Sequence, residues 1–350
     1  MKKIFVTLAV FIMAIYAYAQ TNQYFWYGGN LMMGNPIAQI DSVTFGEGEP
    51  TDTLHILLPR TIIKTVHDTI TIITHDTMYI QGTVYGDCPI EGALLGEFSI
   101  SPTQKVNFSK GNLQYHCTNH IWRFAENQYD TIGRANRNIS SSYAGWIDLF
   151  GWGTGDNPTK VTQNRSEYQI FNEWGANAIS NGGYANNMWR TLTKDEWRYL
   201  FFSRNNASAL FGIGRVNGLT GLIILPDNWS LPIGLSFMPS SVQGLVNISD
   251  SVCTCKGSSI YSSRDSCDLT ANTYSAEQWI VMERSGAAFL PAAYYRVGPG
   301  IIAPSGNYWS STQMDESHGY GIYFNIRMIS SGGNGLESGF SVRLVHLVVE

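Results

Sequence analysis

Two stretches of the chain place apolar residues at helical spacing behind a polar start. Thr193-Lys194-Asp195-Glu196 has the form of a capping box, in which the Thr hydroxyl and the Glu carboxylate each satisfy a free backbone N–H of the other residue. Leu192 before the cap and Trp197 after it make a hydrophobic staple, and Leu200 and Phe201 continue the apolar face. Ser275-Ala276-Glu277-Gln278 repeats the arrangement, with Tyr274 before and Trp279 after it. A helix is expected at each, with Trp197 and Trp279 as core anchors. Around them run short β-like segments: Val106 to Phe108, Leu222 to Leu225, Tyr308 to Ser311, Gly321 to Ile326 and Ser341 to Val349. Gly, Asn, Asp and Pro break the chain between them. The pattern is α+β with long irregular connections.

The first 92 residues read differently. Lys2 and Lys3, an apolar run from Ile4 to Ile15, and Ala17-Tyr18-Ala19 form the layout of a secretory signal peptide cleaved before Gln20. The run is too short for a bilayer anchor, and no cysteine follows the cleavage point to carry a lipid. From Gln20 to Gly92 the chain is rich in Thr, Ile and Val, which favours extended structure. Val66-His67-Asp68-Thr69-Ile70 is echoed eight residues later by Thr74-His75-Asp76-Thr77-Met78. On one strand, an even spacing returns both repeats to the same face. The segment is therefore expected to be an extended β-rich stalk, with its histidines unsupported as metal ligands. Its Asp-Ser/Thr-apolar triplets at Asp41, Asp52, Asp68 and Asp76 also match a short bacterial O-glycosylation sequon.

The formal charge is −5, or −7 once Lys2 and Lys3 are removed, without a basic block. Nucleic acid is thereby excluded as a partner, because phosphate binding needs clustered cations. Charged residues make up 14% of the chain, below the usual quarter, while Gly, Tyr and Trp number 35, 19 and 10. This suits a loop-rich, aromatic-cored fold. The five cysteines are Cys88, Cys117, Cys253, Cys255 and Cys267. Disulfide chemistry fits an exported chain better than metal binding, and Cys253, Cys255 and Cys267 are the candidates for a bridge closing a short loop. No cofactor is expected.

Several ordered motifs resemble a known family. Trp189-Arg190-Thr191-Leu192-Thr193-Lys194-Asp195-Glu196-Trp197-Arg198-Tyr199 resembles the Arg-Leu-Pro-Thr-x-x-Glu-Trp-Glu-Tyr segment of formylglycine-generating enzymes and sulfatase-modifying factors. Gly339-Phe340-Ser341-Val342-Arg343-Leu344 resembles their terminal strand. Together with Phe108 to Tyr115, Leu225 to Trp229, Phe289 to Ala293 and Tyr308 to Thr312, the likeness is nearest to exported bacterial proteins of the Fibrobacter-type major paralogous domain group. It covers about Leu94 to Val345. What it implies is a C-type-lectin-like domain over residues 93–350, with a small twisted antiparallel sheet, two helices and long loops. That domain would follow a signal peptide (1–19) and the β-rich segment (20–92).

The family's oxidase chemistry needs a late pair of soft thiolate ligands for copper, and no cysteine follows Cys267. His318 and His346 alone do not reproduce the iron site of the related sulfoxide synthases. Asp315, Glu316 and His318 with Ser310 or Ser311 make an acid-base set only on paper, since a triad is defined by geometry. Leu225-Pro226-Asp227-Asn228-Trp229 departs from the calcium motifs of sugar-binding C-type lectins.

Display remains. Between Asn307 and Asn334 aromatic and polar residues alternate among glycines, and the resemblance makes this stretch the binding face. The candidate ligand residues are Tyr308, Trp309, Tyr320, Tyr323, Asn325, Arg327 and Asn334. Trp309 and Tyr323 also suit buried strand positions, Trp309 above all. The reading is an exported, non-enzymatic protein of the periplasm, cell surface or extracellular space. It would bind a glycan or protein ligand and have no transmembrane anchor after signal cleavage. The alternatives are a formylglycine-generating-type enzyme with altered ligands and a structural component of the cell envelope.

Overall fold

The computed structural model describes residues 88, 90–140, 142–245, 267–302 and 305–348 with their side chains, and further strands by backbone alone between 23 and 81 and at 246–249 and 252–255. The expected signal peptide, His67 and His75 lie outside the described residues. The chain divides into two compact units, Met1–Gly86 and Asp87–Glu350.

In the first unit, β1 (Gln23–Tyr27) pairs antiparallel with β2 (Asn30–Asn35). A separate sheet joins β3 (Ser42–Thr44), β4 (Thr53–Leu57), β5 (Ile70–Ile73) and β6 (Thr77–Gln81) in the order β3-β4-β6-β5. The eight-residue echo therefore does not lie on one strand. Ile73 pairs with Thr77, so the chain reverses between the repeats and the segment's strands pair into a small sheet. Side chains of the four Asp-Ser/Thr triplets lie outside the described residues.

The second unit is α+β, mostly sheet. Its first strands are β7 (Phe98–Ser99), β8 (Lys105–Phe108), β9 (Leu113–His116), β10 (Ile121–Phe124), β11 (Trp146–Ile147) and β12 (Arg190–Thr191). Next come β13 (Phe211–Val216), β14 (Leu219–Ile224), β15 (Leu245–Ser249), β16 (Val252–Cys255), β17 (Thr273–Tyr274) and β18 (Ala288–Pro291). The last are β19 (Tyr295–Val297), β20 (Gly300–Ile302), β21 (Gly306–Asp315), β22 (His318–Asn325), β23 (Met328–Gly335) and β24 (Leu344–Leu347). They assemble into sheets ordered β12-β24-β8-β7, β17-β13-β14-β18, β10-β9-β11, β19-β20 and β15-β16-β23-β22-β21.

Both capping boxes form. Helix α1 (Lys194–Arg198) starts at Thr193, whose hydroxyl accepts from the Glu196 N–H while the Glu196 carboxylate accepts from the Thr193 N–H. The helix then widens into a π turn, Tyr199–Ser203, that seats Leu200 and Phe201 in the same apolar cluster as Leu192 and Trp197. Glu196 also holds Arg190 bidentately at 2.7 and 2.8 Å. Burial alone would raise its carboxyl, but Arg190 and Thr193 hold it below the usual range. Replacing Thr193 with Ala is expected to lower stability by about 1 kcal/mol in urea denaturation, the typical worth of an N-cap. Helix α2 (Ala276–Arg284) starts likewise at Ser275 and buries Trp279 beside Tyr274.

The family-like motifs converge on one buried network. Arg343 Nη2 donates to Gln128 Oε1 at 2.8 Å, and Gln128 Nε2 donates to Glu283 Oε2 at 2.9 Å and to the Ala287 carbonyl. Gln128 Oε1 also accepts from the Phe289 N–H. On the other side Arg343 Nη1 approaches Asn112 Oδ1, while Asn112 Nδ2 donates to the Tyr308 hydroxyl and that hydroxyl donates to the Pro291 carbonyl. The loop 109–113, the 289–293 strand, the 308–312 strand and the closing 339–344 segment are thus tied together by side chains removed from water.

Asp148 pins another loop. It accepts from the Ile132 N–H at 2.8 Å and from Asn136 Nδ2 at 2.6 Å, and Asn136 Oδ1 accepts in turn from the Asp148 and Leu149 N–H groups. Burial pushes its carboxyl up from 3.8 to about 6, against the pull of these donors. The folded state therefore holds the proton more tightly than the unfolded chain. Between pH 4 and 6 the unfolded chain binds fewer protons, so this carboxyl makes stability fall as pH rises, on the order of 3 kcal/mol in all. In Asp148→Asn that part of the pH slope is expected to vanish when urea midpoints are compared across the window.

Candidate functional site

Strands β21, β22 and β23 form an antiparallel meander, so the stretch expected to display a binding face is a regular sheet. In a strand alternate residues face opposite sides. Ile322 and Phe324 face the cluster holding Trp197, Phe211 and Leu222, and Tyr320 shares their side, with Lys194 Nζ 4.3 Å from its ring centre. The other side of β22 carries Gly319, Gly321, Tyr323 and Asn325. A Cβ at Gly319 would lie 2.6 Å from the Trp152 indole, and one at Gly321 would lie 2.8 Å from the Tyr308 carbonyl. These glycines admit the second aromatic cluster, which contains Trp152, Trp309 and Phe340.

The seven candidate residues therefore do not make one surface. Tyr308 is fully buried and bonded within the polar network. Trp309 is 1% exposed, donates from Nε1 to the Phe150 carbonyl at 2.8 Å, and stacks on Phe340 with ring centres 4.3 Å apart. Both are core residues, and no ligand can reach them. Tyr320 is half-buried on the opposite side from Tyr323, Asn325 and Asn334. Arg327, half-buried, lies in the two-residue turn between β22 and β23.

What remains is a strip across β22 and β23. Tyr323 pairs with Ser330, Gly321 with Gly332 and Gly319 with Asn334, so Tyr323, Asn325, Ser330, Gly332 and Asn334 share a side, and all are half-buried. Asn325 Nδ2 donates to the Tyr323 oxygen at 2.6 Å and Asn325 Oδ1 accepts from the Arg327 N–H, which fixes the aromatic end. Asn334 Nδ2 donates to the Gly332 carbonyl. Among the described residues, the Tyr323 hydroxyl proton, Ser330 Oγ and Asn334 Oδ1 have no protein partner. A Cβ at Gly332 would meet nothing within 4 Å. Ser330 and Gly332 carry no signal in sequence beyond being small and polar, and only the register places them here.

An open depression with a volume of about 520 Å³ adjoins the turn. It is lined by Arg215, Cys267, Asp268, Leu269, Thr270, Thr273 and Ile326. The Cys267 N–H donates to the Ile326 carbonyl at 2.8 Å, and Cys267 is disulfide-bonded. Cys88 and Cys117 are free, and the side chains of Cys253 and Cys255 lie outside the described residues. The Thr270 N–H and hydroxyl hold the Asp268 carboxyl below its ordinary range.

The hairpin tip between β21 and β22 gathers the acid-base residues. His318 Nδ1 lies 2.9 Å from Asp315 Oδ1, and His318 Nε2 lies 3.3 Å from Nη1 of Arg165, which also grips Glu337 bidentately. Arginine only donates, so Nε2 accepts and Nδ1–H donates to Asp315. Neither ring nitrogen is open to a substrate. The Ser317 N–H, followed by His318, holds the Asp315 carboxyl low. Ser310 is buried, and its hydroxyl donates to the Tyr320 carbonyl.

Polar residues elsewhere have structural partners. Asp227 accepts from Ser99 and pairs with Arg204 at 3.1 Å. His120 bonds to the Tyr115 hydroxyl, and His116 packs on Trp146. Among the described residues no three of His, Cys, Asp and Glu converge as a metal site, and no helix is long and apolar enough to cross a membrane. No family model, curated protein or solved structure matches the chain.

Proposed function

We propose that the chain is an exported, non-enzymatic binding or surface-display protein whose second unit is a C-type-lectin-like domain. The lectin-like reading is supported by the two capped helices, the small, mostly antiparallel sheets and the long irregular connections that separate them. Export rests on the signal-peptide layout of the first 19 residues. The observation that carries binding is the β22–β23 strip: an anchored aromatic, a glycine opening onto space, and three polar groups without partners among the described residues. Such a surface suits a polar ligand, either a glycan or an extended segment of a protein, because its hydrogen bonds are made to groups already held in place. The non-enzymatic reading is supported by His318, which is engaged at both nitrogens, and by the burial of Ser310.

The test is a glycan and protein array probed with the purified second unit and with Tyr323→Ala and Asn334→Ala. Retention of a ligand that both variants lose is expected. Retention unchanged by both variants would place the binding surface elsewhere.

A further inference from the structure

A second surface is carried by the loop of residues 181–188. Tyr184 is 74% exposed and holds a left-handed backbone with φ of 52°, which is sparsely populated for an aromatic residue. Gly183 and Asn187 beside it are also left-handed, at 82° and 60°. The surrounding structure over-determines this shape. Asn181 accepts from the Phe124 N–H at 2.8 Å and donates to the Phe124 carbonyl at 3.0 Å, imitating a paired strand. Trp189 Nε1 donates to the Gly182 carbonyl at 2.8 Å, and the Gly182 and Tyr184 N–H groups both reach the Ile179 carbonyl. Strained backbone persists where neighbouring contacts enforce it, and it concentrates at sites of function. Here the enforced shape holds one aromatic ring in water.

We propose that this loop is a contact site for a neutral saccharide. Tyr184 supplies a flat ring for the C–H face of a pyranose, and Asn186 and Asn187, both exposed, supply amide donors and acceptors for its hydroxyls. From Ser180 to Met188 there is no charged residue, which disfavours an acidic or basic ligand. A protein partner would need further large anchors, since stable interfaces bury about 800 Å² on each side. The loop offers one ring with Ala185 beside it. The site is separate from the β22–β23 strip and does not depend on it.

The experiment prints neutral mono- and oligosaccharides ending in glucose, galactose, mannose or N-acetylhexosamine, and probes them with the full chain and with variants. Tyr184→Phe keeps the ring and is expected to bind within a few-fold of the parent. Tyr184→Leu keeps the backbone demand without the ring and is expected to lose about tenfold or more. Tyr184→Gly relieves the left-handed strain, so its melting temperature is expected to equal or exceed the parent's while saccharide binding is lost. Equal binding by the Phe and Leu variants would overturn the proposal, as would binding of no neutral saccharide or retention of a protein ligand only. Loss of saccharide by Asn334→Ala with Tyr184→Leu unaffected would also overturn it and assign the saccharide to the strip.

Discussion

Replacing Trp309 with Ala is expected to cost the second unit about 3–5 kcal/mol of stability, the range for removing a large buried aromatic. The ring is covered by Phe340, its Nε1–H is the partner of the Phe150 carbonyl, and its backbone N–H donates to the Ser341 carbonyl. Truncation empties the space against Phe340 and takes one of two donors from the buried Phe150 carbonyl, which keeps the Phe340 N–H. Trp309→Phe keeps the stack and loses only the hydrogen bond and some volume, so it is expected to cost about 1–3 kcal/mol. Urea denaturation followed by circular dichroism separates the two. A Trp309→Ala midpoint equal to the parent's would mean that the ring is not a core residue.

Replacing Arg343 with Met is expected to cost about 3 kcal/mol, within the range for breaking a buried charge network from one side. Burial pushes the guanidinium down to about 10, so it remains charged at neutral pH. Its removal leaves Asn112 Oδ1 without this donor and takes away the cation that counters the half-buried Glu283. Burial already raises the Glu283 carboxyl, and without Arg343 it is expected to rise further. The stability difference between Arg343→Met and the parent should therefore widen as pH rises above the ordinary Glu range, because the carboxylate, still held by Gln128, must ionise in a desolvated position without the nearby guanidinium. Urea midpoints at acid and neutral pH measure that widening.

Both predictions concern residues that sequence reading placed in recognised motifs. Local signals were sufficient for the helix starts, because a capping box needs only the residues from cap to third helical position. The β-run at 321–326 was legible for the same reason: alternation is a local property. Which side of a strand meets solvent is not local. Tyr308 and Trp309 look like display residues until Phe340, Trp152 and the Pro291 carbonyl arrive from distant parts of the chain to cover them. The glycines at 319 and 321, which in sequence only separate the aromatic and polar positions, are where those rings approach the sheet.

The same distance hides the polar network. Asn112, Gln128 and Arg343 meet only after the closing segment returns beside β9, with the Leu113 N–H donating to the Val342 carbonyl. In sequence each is an ordinary polar residue. The motifs that suggested a family build the scaffold, while the accessible strip lies on β22 and β23 among small residues.

That division is tested most directly at Gly332. Its Cβ position opens onto space and its backbone is not in the left-handed region, so Tyr is expected to be accommodated there without loss of stability. The measurement is equilibrium binding of whichever array ligand the parent retains, compared between the parent and Gly332→Tyr at matched melting temperature. The account predicts that Gly332→Tyr folds as the parent does and loses the ligand, because its ring fills the strip beside Tyr323 and Asn334. Undiminished binding by Gly332→Tyr would contradict it.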